Sequence, residues 1–335
     1  MKESIPAKDK RRQHKLNLNK MLKPDRIGGG IRLMRMKTSL LIIRIAVISA
    51  LINMSVIMSV HDAAAVSDPS DSPEAESFDH TYALYGSLLH KYVRDARVDY
   101  KGFISSKAEL EKFLESLGGV REEEYRKWTE PEKLAFWLNA YNAFTIEAIL
   151  ENYPISRRFS LIGLFVPSNS ILQIKGVWDG LKWKAAGKML TLGEIEHEIL
   201  RKEFDEPRIH AAINCASIGC PDLRGEAYTS HKLEEQLSQA SAGFINNGVK
   251  GLEIDEHDGR VRFSKIFKWF GEDFVDKYGG QYEFEGRSEK ENAILNFAFI
   301  YLDDDDKKEF LKRNDFDMGW LGYDWHLNEQ QVTGD

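Results

Sequence analysis

The stretch Thr129-Glu130-Pro131-Glu132 followed by KLAFWLNAYNAFTIEAILENY constrains this chain more than any other. A threonine three residues ahead of a glutamate can satisfy the free amide groups at a helix start, and proline is tolerated in the first turn. The apolar run behind it must stop before Pro154, because the residue preceding a proline avoids the helical region. The spacing therefore predicts a long helix, with residues 134–150 in the core of the fold. Thr191-Leu192-Gly193-Glu194 repeats the capping pattern and predicts a second helix over 192–204. Further helices are expected from Phe78, from Ser105 or Ser106 to Leu117, over 230–246 with Thr229 as cap, from Ser264, and over 292–302. Alternation predicts strands over 208–215 and 322–327 and a hairpin over 252–263 turning at His257-Asp258-Gly259. Many helices, few strands, and hairpins in place of crossover units indicate an α+β fold: a mostly helical single domain packed on a small antiparallel sheet.

Charge divides the chain. Residues 1–65 carry 13 basic against 4 acidic side chains, whereas residues 66–335 carry 33 against 49. A body so acidic lacks the basic face by which a nucleic-acid binder displaces counterions, so no nucleic acid is expected as partner. Residues 40–60 read LLIIRIAVISALINMSVIMSV, preceded by a basic flank and followed by Ala63-Ala64-Ala65. Basic, apolar, then small residues is the layout of a secretory signal, and about 20 apolar residues also suffice to span a bilayer. We therefore read residues 1–37 as a basic leader and residues 38–65 as a signal peptide or membrane anchor. Residues 66–77 read as a polar linker, and 78–335 as a globular domain exported to the periplasm or another extracytoplasmic space. Contact with the membrane is expected through the N-terminal segment alone.

The chemistry concentrates in PRIHAAINCASIGCPDLR, residues 207–224, which holds both cysteines of the chain. Read as a strand, it places His210, Ala212 and Asn214 on one face and Cys215 on the other. Cys220 precedes Pro221 at a possible helix start, where a thiolate is stabilised. Four readings of the pair stand side by side: a short disulfide, natural in an oxidising compartment; a catalytic Cys220 thiol served by His210, His197 or His326; zinc held by His197, His210, Cys215 and Cys220; and burial of two small side chains. In the second capped helix, Glu194, His197 and Arg201 fall on one face. Asn139, Tyr141 and Asn142 interrupt the apolar helix, and amides in such a run must be hydrogen-bonded, by fastening a loop or lining a pocket. Asp324 and His326 form a carboxylate–histidine pair in the last strand. No Walker or dinucleotide glycine motif appears, so no nucleotide cofactor is expected.

These blocks together resemble the family known as domain of unknown function 547. The resemblance rests on AFWLNAYNAFTI (135–146), LGEIEHEILR (192–201), PRIHAAINCASIGCPDLR, SKIFKWFGEDF (264–274) and GYDWHLN (322–328), in that order. Its core is expected at about 130–245. The resemblance implies that the recurrent polar positions are Asn139, Tyr141, Asn142, Glu196, His197, Arg208, His210, Asn214, Cys215, Cys220, Pro221, Asp324 and Trp325. It implies a domain and no reaction. Two functions follow as expectations. One is a hydrolase or acyl transferase using Cys220 as nucleophile, His210 or His197 as base, and Asn214 or Asn142 to polarise a carbonyl. The other is a non-catalytic envelope module that binds a small molecule or an envelope protein through Asn139, Tyr141, Asn142, Glu196, Arg208, Asp324 and His326, with the cysteines as a staple.

Overall fold

The structure is a computed structural model and describes residues 77–156 and 166–331. The leader, the signal or anchor, and all but the last residue of the linker lie outside the described residues. Among the described residues, no helix is long and apolar enough to cross a membrane.

The fold is α+β and mostly helical. Helix α1 (Ala83–Tyr92) leads through the two-stranded β1 (Val93–Arg94) and β2 (Arg97–Val98) to α2 (Lys107–Gly119). Helix α3 (Glu130–Leu150) follows, with the Thr129–Glu132 capping box formed and proline in its first turn. Strands β3 (Trp183–Ala185) and β4 (Lys188–Leu190) make a hairpin, and α4 comes next. That helix opens on the Thr191–Glu194 box as Leu192–Glu194, widens into a π segment over Ile195–Leu200, and ends as Arg201–Glu203. Helix α5 (Leu233–Ile245), the hairpin β5 (Leu252–Asp255) and β6 (Arg260–Phe263), and helices α6 (Lys265–Phe270), α7 (Glu289–Tyr301) and α8 (Asp305–Arg313) complete the described helices of interest. Strand β7 (Asp317–Trp320) joins β6 in parallel, with Phe263 opposite Trp320. The strands thus make three small separate sheets rather than one, and the β6–β7 pair is parallel.

Two apolar clusters form the interior. The first surrounds α3, whose residues Leu134 to Ile146 are all buried. The second gathers Phe244, Phe263, Phe267, Phe274 and Phe297 from α5, β6, α6 and α7. Residues 209–213 run along the boundary, with Ile209, Ala212 and Ile213 in the first cluster and Ala211 in the second.

Several local expectations are corrected. Residues 208–215 are not a strand: Ile209–Ala212 is a helical turn followed by irregular chain. Every residue from Pro207 to Ser217 is buried, so the alternation in sequence has no wet face to report, and the two alanines favour a helix. Residues 322–327 are not a regular strand either. The strand lies just before them, and Leu327 alone bridges to Ser217. Thr229 does not cap α5, which begins at Leu233 after Lys232. Ser106 precedes α2, but its hydroxyl bonds Tyr92 Oη at 2.9 Å instead of capping.

Trp137 is 1 % exposed and donates its indole N–H to Tyr125 Oη at 2.7 Å. Trp137→Ala should cost on the order of 3–5 kcal/mol in urea unfolding. A loss below about 1 kcal/mol would show that the helix does not depend on that side chain for its packing.

Candidate functional site: an aromatic cleft beside a disulfide

The boundary between the two clusters opens into a narrow cleft that encloses about 30 Å³. Tyr141, Ile213 and the two cysteines wall it from the α3 side, and Ile266, Trp269 and Phe270 from the α6 side. Glu196, His210, Trp178 and Tyr323 complete the lining.

The asparagines of α3 determine where the cysteine loop sits. Asn139 and Asn142 lie three residues apart and so share a face of the helix. Asn139 donates to Tyr228 O at 2.7 Å and accepts from Tyr228 N at 2.9 Å, closing a two-point clamp. Asn142 donates to Ala212 O at 3.1 Å and accepts from Asn214 N at 2.8 Å. Asn214 in turn donates to Pro221 O at 2.7 Å and accepts from Ala216 N at 2.8 Å, holding Ala216 in the left-handed region at φ 55°. All three amides are spent on the main chain, and Asn214 Oδ1 also accepts from Asn328 Nδ2 at 3.2 Å. Asn142 and Asn214 fasten the loop, and their N–H groups point at carbonyls of the protein itself rather than at the cleft.

Cys215 and Cys220 are joined as a disulfide with Cα atoms 6.2 Å apart, so both cysteines of the chain are oxidised. The Tyr323 hydroxyl lies 3.1 Å from each sulfur and accepts from Ser217 Oγ at 3.2 Å. Burial pushes the Tyr323 phenol well above its usual range, so it stays a neutral donor. Gly219 lets the strap at 323–327 lie directly on this loop. A Cβ there would stand 2.8 Å from Asp324 N, while Gly219 N donates to Asp324 O at 2.8 Å.

A charged chain runs along the second wall. His210 Nε2 meets Asp273 Oδ2 at 2.7 Å, and its ring stacks on Phe270 with centroids 4.6 Å apart. Arg201 forks onto the same carboxylate, Nε to Oδ2 at 2.6 Å and Nη2 to Oδ1 at 2.8 Å. Burial opposes the charge on Asp273, but the bonds from Arg201 and His210 outweigh it and hold the carboxyl well below the usual range. Arg201 Nη1 also lies 3.0 Å from His197 Nδ1. A guanidinium only donates, so that ring nitrogen is the acceptor and carries no proton. Glu196 is 6 % exposed and accepts from Tyr141 Oη at 3.1 Å. Burial and the neighbouring Glu196 raise the Tyr141 phenol far above its usual range, so Tyr141 is the donor in that bond.

The cleft therefore unites Tyr141, Glu196, His210, Cys215 and Cys220, with His197 attached behind through Arg201. It leaves out four others. Arg208 forks onto Glu206 and Glu234, a structural ion cluster. Asp324 and His326 bond each other at 2.6 Å on an exposed surface. Glu194 turns back to cap its own helix, whereas His197 and Arg201 turn inward. No three His, Cys, Asp or Glu side chains among the described residues are grouped to hold a metal, and a disulfide offers no thiolate to the zinc set weighed from sequence. The sequence reading missed Asp273, Trp269, Phe270, Tyr323 and Trp178. Four of these lie in SKIFKWFGEDF and GYDWHLN, but Asp273 looks there like half of a solvated Glu-Asp pair.

Asp273 yields a prediction. Asp273→Asn removes one partner of a paired charge and should cost on the order of 3 kcal/mol near neutral pH, because Arg201 is left uncompensated. The folded-state pKa is depressed, so the carboxylate's contribution is complete above roughly pH 5 and is lost as pH falls through the folded value. The gap in unfolding free energy between wild type and variant should therefore narrow on acidification. A gap independent of pH would refute the assignment.

No curated protein and no solved structure matches this chain. A family model does, over α3, α4, the cysteine loop and α5: residues 125–245 match the family described as "Protein of unknown function, DUF547".

Proposed function

We propose that the chain is a non-catalytic, exported module of the cell envelope that binds a small ligand in the aromatic cleft, with the Cys215–Cys220 bridge as a structural staple. The observation that carries this reading is the state of the sulfurs. Both are joined to each other in the cleft wall, so the nucleophile that a thiol hydrolase or acyl transferase needs is already consumed. The amides that would polarise a carbonyl are equally committed, Asn142 to Ala212 O and Asn214 to Pro221 O. What remains is a concave, largely apolar site with a few convergent polar groups, the usual form of a ligand pocket. Export accords with both the basic–apolar–small N-terminal layout and the use of a disulfide, which persists in oxidising compartments.

Thiol titration of the native full-length chain should find no free thiol, and two after denaturation in reductant. A Cys215→Ala/Cys220→Ala double variant should still fold and lose roughly 2 kcal/mol, the loop-closure entropy of so short a ring. Hydrolysis of p-nitrophenyl acetate should not rise when reductant is added. Turnover that appears only on reduction and vanishes in both Cys220→Ser and His210→Gln would overturn the binding module in favour of the thiol enzyme.

A further inference from the structure

Hydrogen-bond donors are distributed unequally over the two sulfurs of the bridge. A disulfide sulfur carries no proton and can only accept. Cys220 Sγ receives the Cys215 backbone N–H at 3.0 Å and the Tyr323 hydroxyl at 3.1 Å. Ser217 Oγ donates to the Tyr323 oxygen at 3.2 Å, which leaves the phenol proton for the sulfurs. Cys215 Sγ shares that phenol at 3.1 Å and has Ser217 Oγ at 3.2 Å, but among the described residues it has no main-chain donor. Hydrogen bonds to sulfur strengthen when the sulfur becomes an anion. They therefore favour Cys220 as the sulfur that departs with the electron pair when the bridge is opened. A stabilised leaving thiolate leaves faster, and a bridge whose reduced form is stabilised is more readily reduced. Glu196 lines the same cleft and opposes a further negative charge, but its carboxylate is already bonded by Tyr141 and faces His197 at 3.9 Å. His210, on the same wall, is tied to Asp273.

Exposure assigns the complementary role to the other sulfur. Cys215 is 7 % exposed and Cys220 3 %, and both border the cleft. The enclosed 30 Å³ is about the share of one water in the liquid. It excludes a bulky ligand, yet it admits the single sulfur at the tip of an approaching thiol. Cys215 is thus the sulfur to be attacked and Cys220 the sulfur to be released.

We propose that the Cys215–Cys220 bridge is a redox-active site that exchanges with a dithiol reductant, with Cys215 as the attacked sulfur and Cys220 as the leaving one. This goes beyond the binding-module reading, in which the bridge only holds the loop. A thiol of the reductant gives up its proton and bonds to Cys215 Sγ. The Cys215–Cys220 bond breaks, and its electron pair goes to Cys220 Sγ, where the Cys215 N–H and the Tyr323 hydroxyl receive it. The second thiol of the reductant, also deprotonated, then attacks its own sulfur in the mixed disulfide and releases Cys215. The two protons end on the cysteines, the reductant is oxidised to its disulfide, and the bridge is reduced by two electrons.

The test uses the oxidised full-length chain without denaturant. Brief exposure to 2-mercaptoethanol, a monothiol that halts at the first step, is followed by acid quenching and peptide mapping. The adduct should sit on Cys215. Reduction by dithiothreitol, followed by alkylation and mass measurement, should reach completion while the circular dichroism remains that of the folded chain. Tyr323→Phe keeps the ring and removes the donor, and should slow that reduction at least fivefold. If this variant fails to fold, the adduct position in the unaltered chain decides. An adduct on Cys220, a Tyr323→Phe chain reduced as fast or faster, or reduction that proceeds only as the chain unfolds overturns the inference and leaves a plain staple in a binding module. Reductant-dependent ester turnover would instead remove the binding module, whichever sulfur is attacked.

Discussion

Asp273 receives charge-assisted hydrogen bonds from two parts of the chain that lie more than sixty residues away: Arg201 on α4 and His210 on the helical turn. The carboxylate follows α6 in the second apolar cluster, while α4 belongs to the first. Hydrophobic contact is non-directional and would let the two clusters slide. A bidentate fork and a third bond to the same group fix angle as well as distance. The His210 ring then stacks on Phe270, and the cleft keeps its width because both of its walls end on this one group.

The opposite wall is held by neutral amides. Asn139, Asn142 and Asn214 pair with backbone groups that would otherwise be buried without partners, since residues 207–217 run through the interior without forming a sheet or a long helix. This is why asparagines appear in the middle of an otherwise apolar helix, and why the disulfide loop can be irregular yet buried. The family segment 125–245 supplies this wall, whereas Trp269, Phe270, Asp273 and Tyr323 come from beyond it. The cleft is therefore a joint product of the family segment and the chain that follows it.

What could be read in the sequence follows the reach of the forces involved. The capping boxes at Thr129 and Thr191 were legible because both partners lie within four residues. The box at Ser288–Glu291 was hidden by a charged run that delayed the apolar pattern, so α7 begins earlier than residue 292. Tyr141, His210 and the cysteines were recognisable as unusual residue types among apolar neighbours, and Glu196 through the family resemblance alone. Asp273 and Tyr323 were not, because their roles come from contacts 63 to 108 residues away, which no local pattern encodes. The strand assigned to 208–215 failed for a related reason. Period-two alternation reports a difference between two faces, and here both are buried.

The strap at 323–330 has a consequence for the order in which the protein becomes itself. It lies on the cysteine loop through Gly219 and also clasps the start of the domain: Val98 N donates to Asn328 O at 2.9 Å, Gln330 N to Val98 O at 3.0 Å, and Tyr100 Oη to Asn328 Oδ1 at 2.7 Å. Tyr100 and Asn328 are 228 positions apart, a separation whose closure is entropically expensive and slow. During synthesis, α3 and the cysteine loop emerge while this strap is still to come. The sulfurs can meet oxidant at that stage, before Tyr323 covers them. The bond does not need the strap in order to form, and arrival of the strap is what brings Tyr323 against the two sulfurs. A chain halted before residue 323 would carry its cross-link and have no cleft.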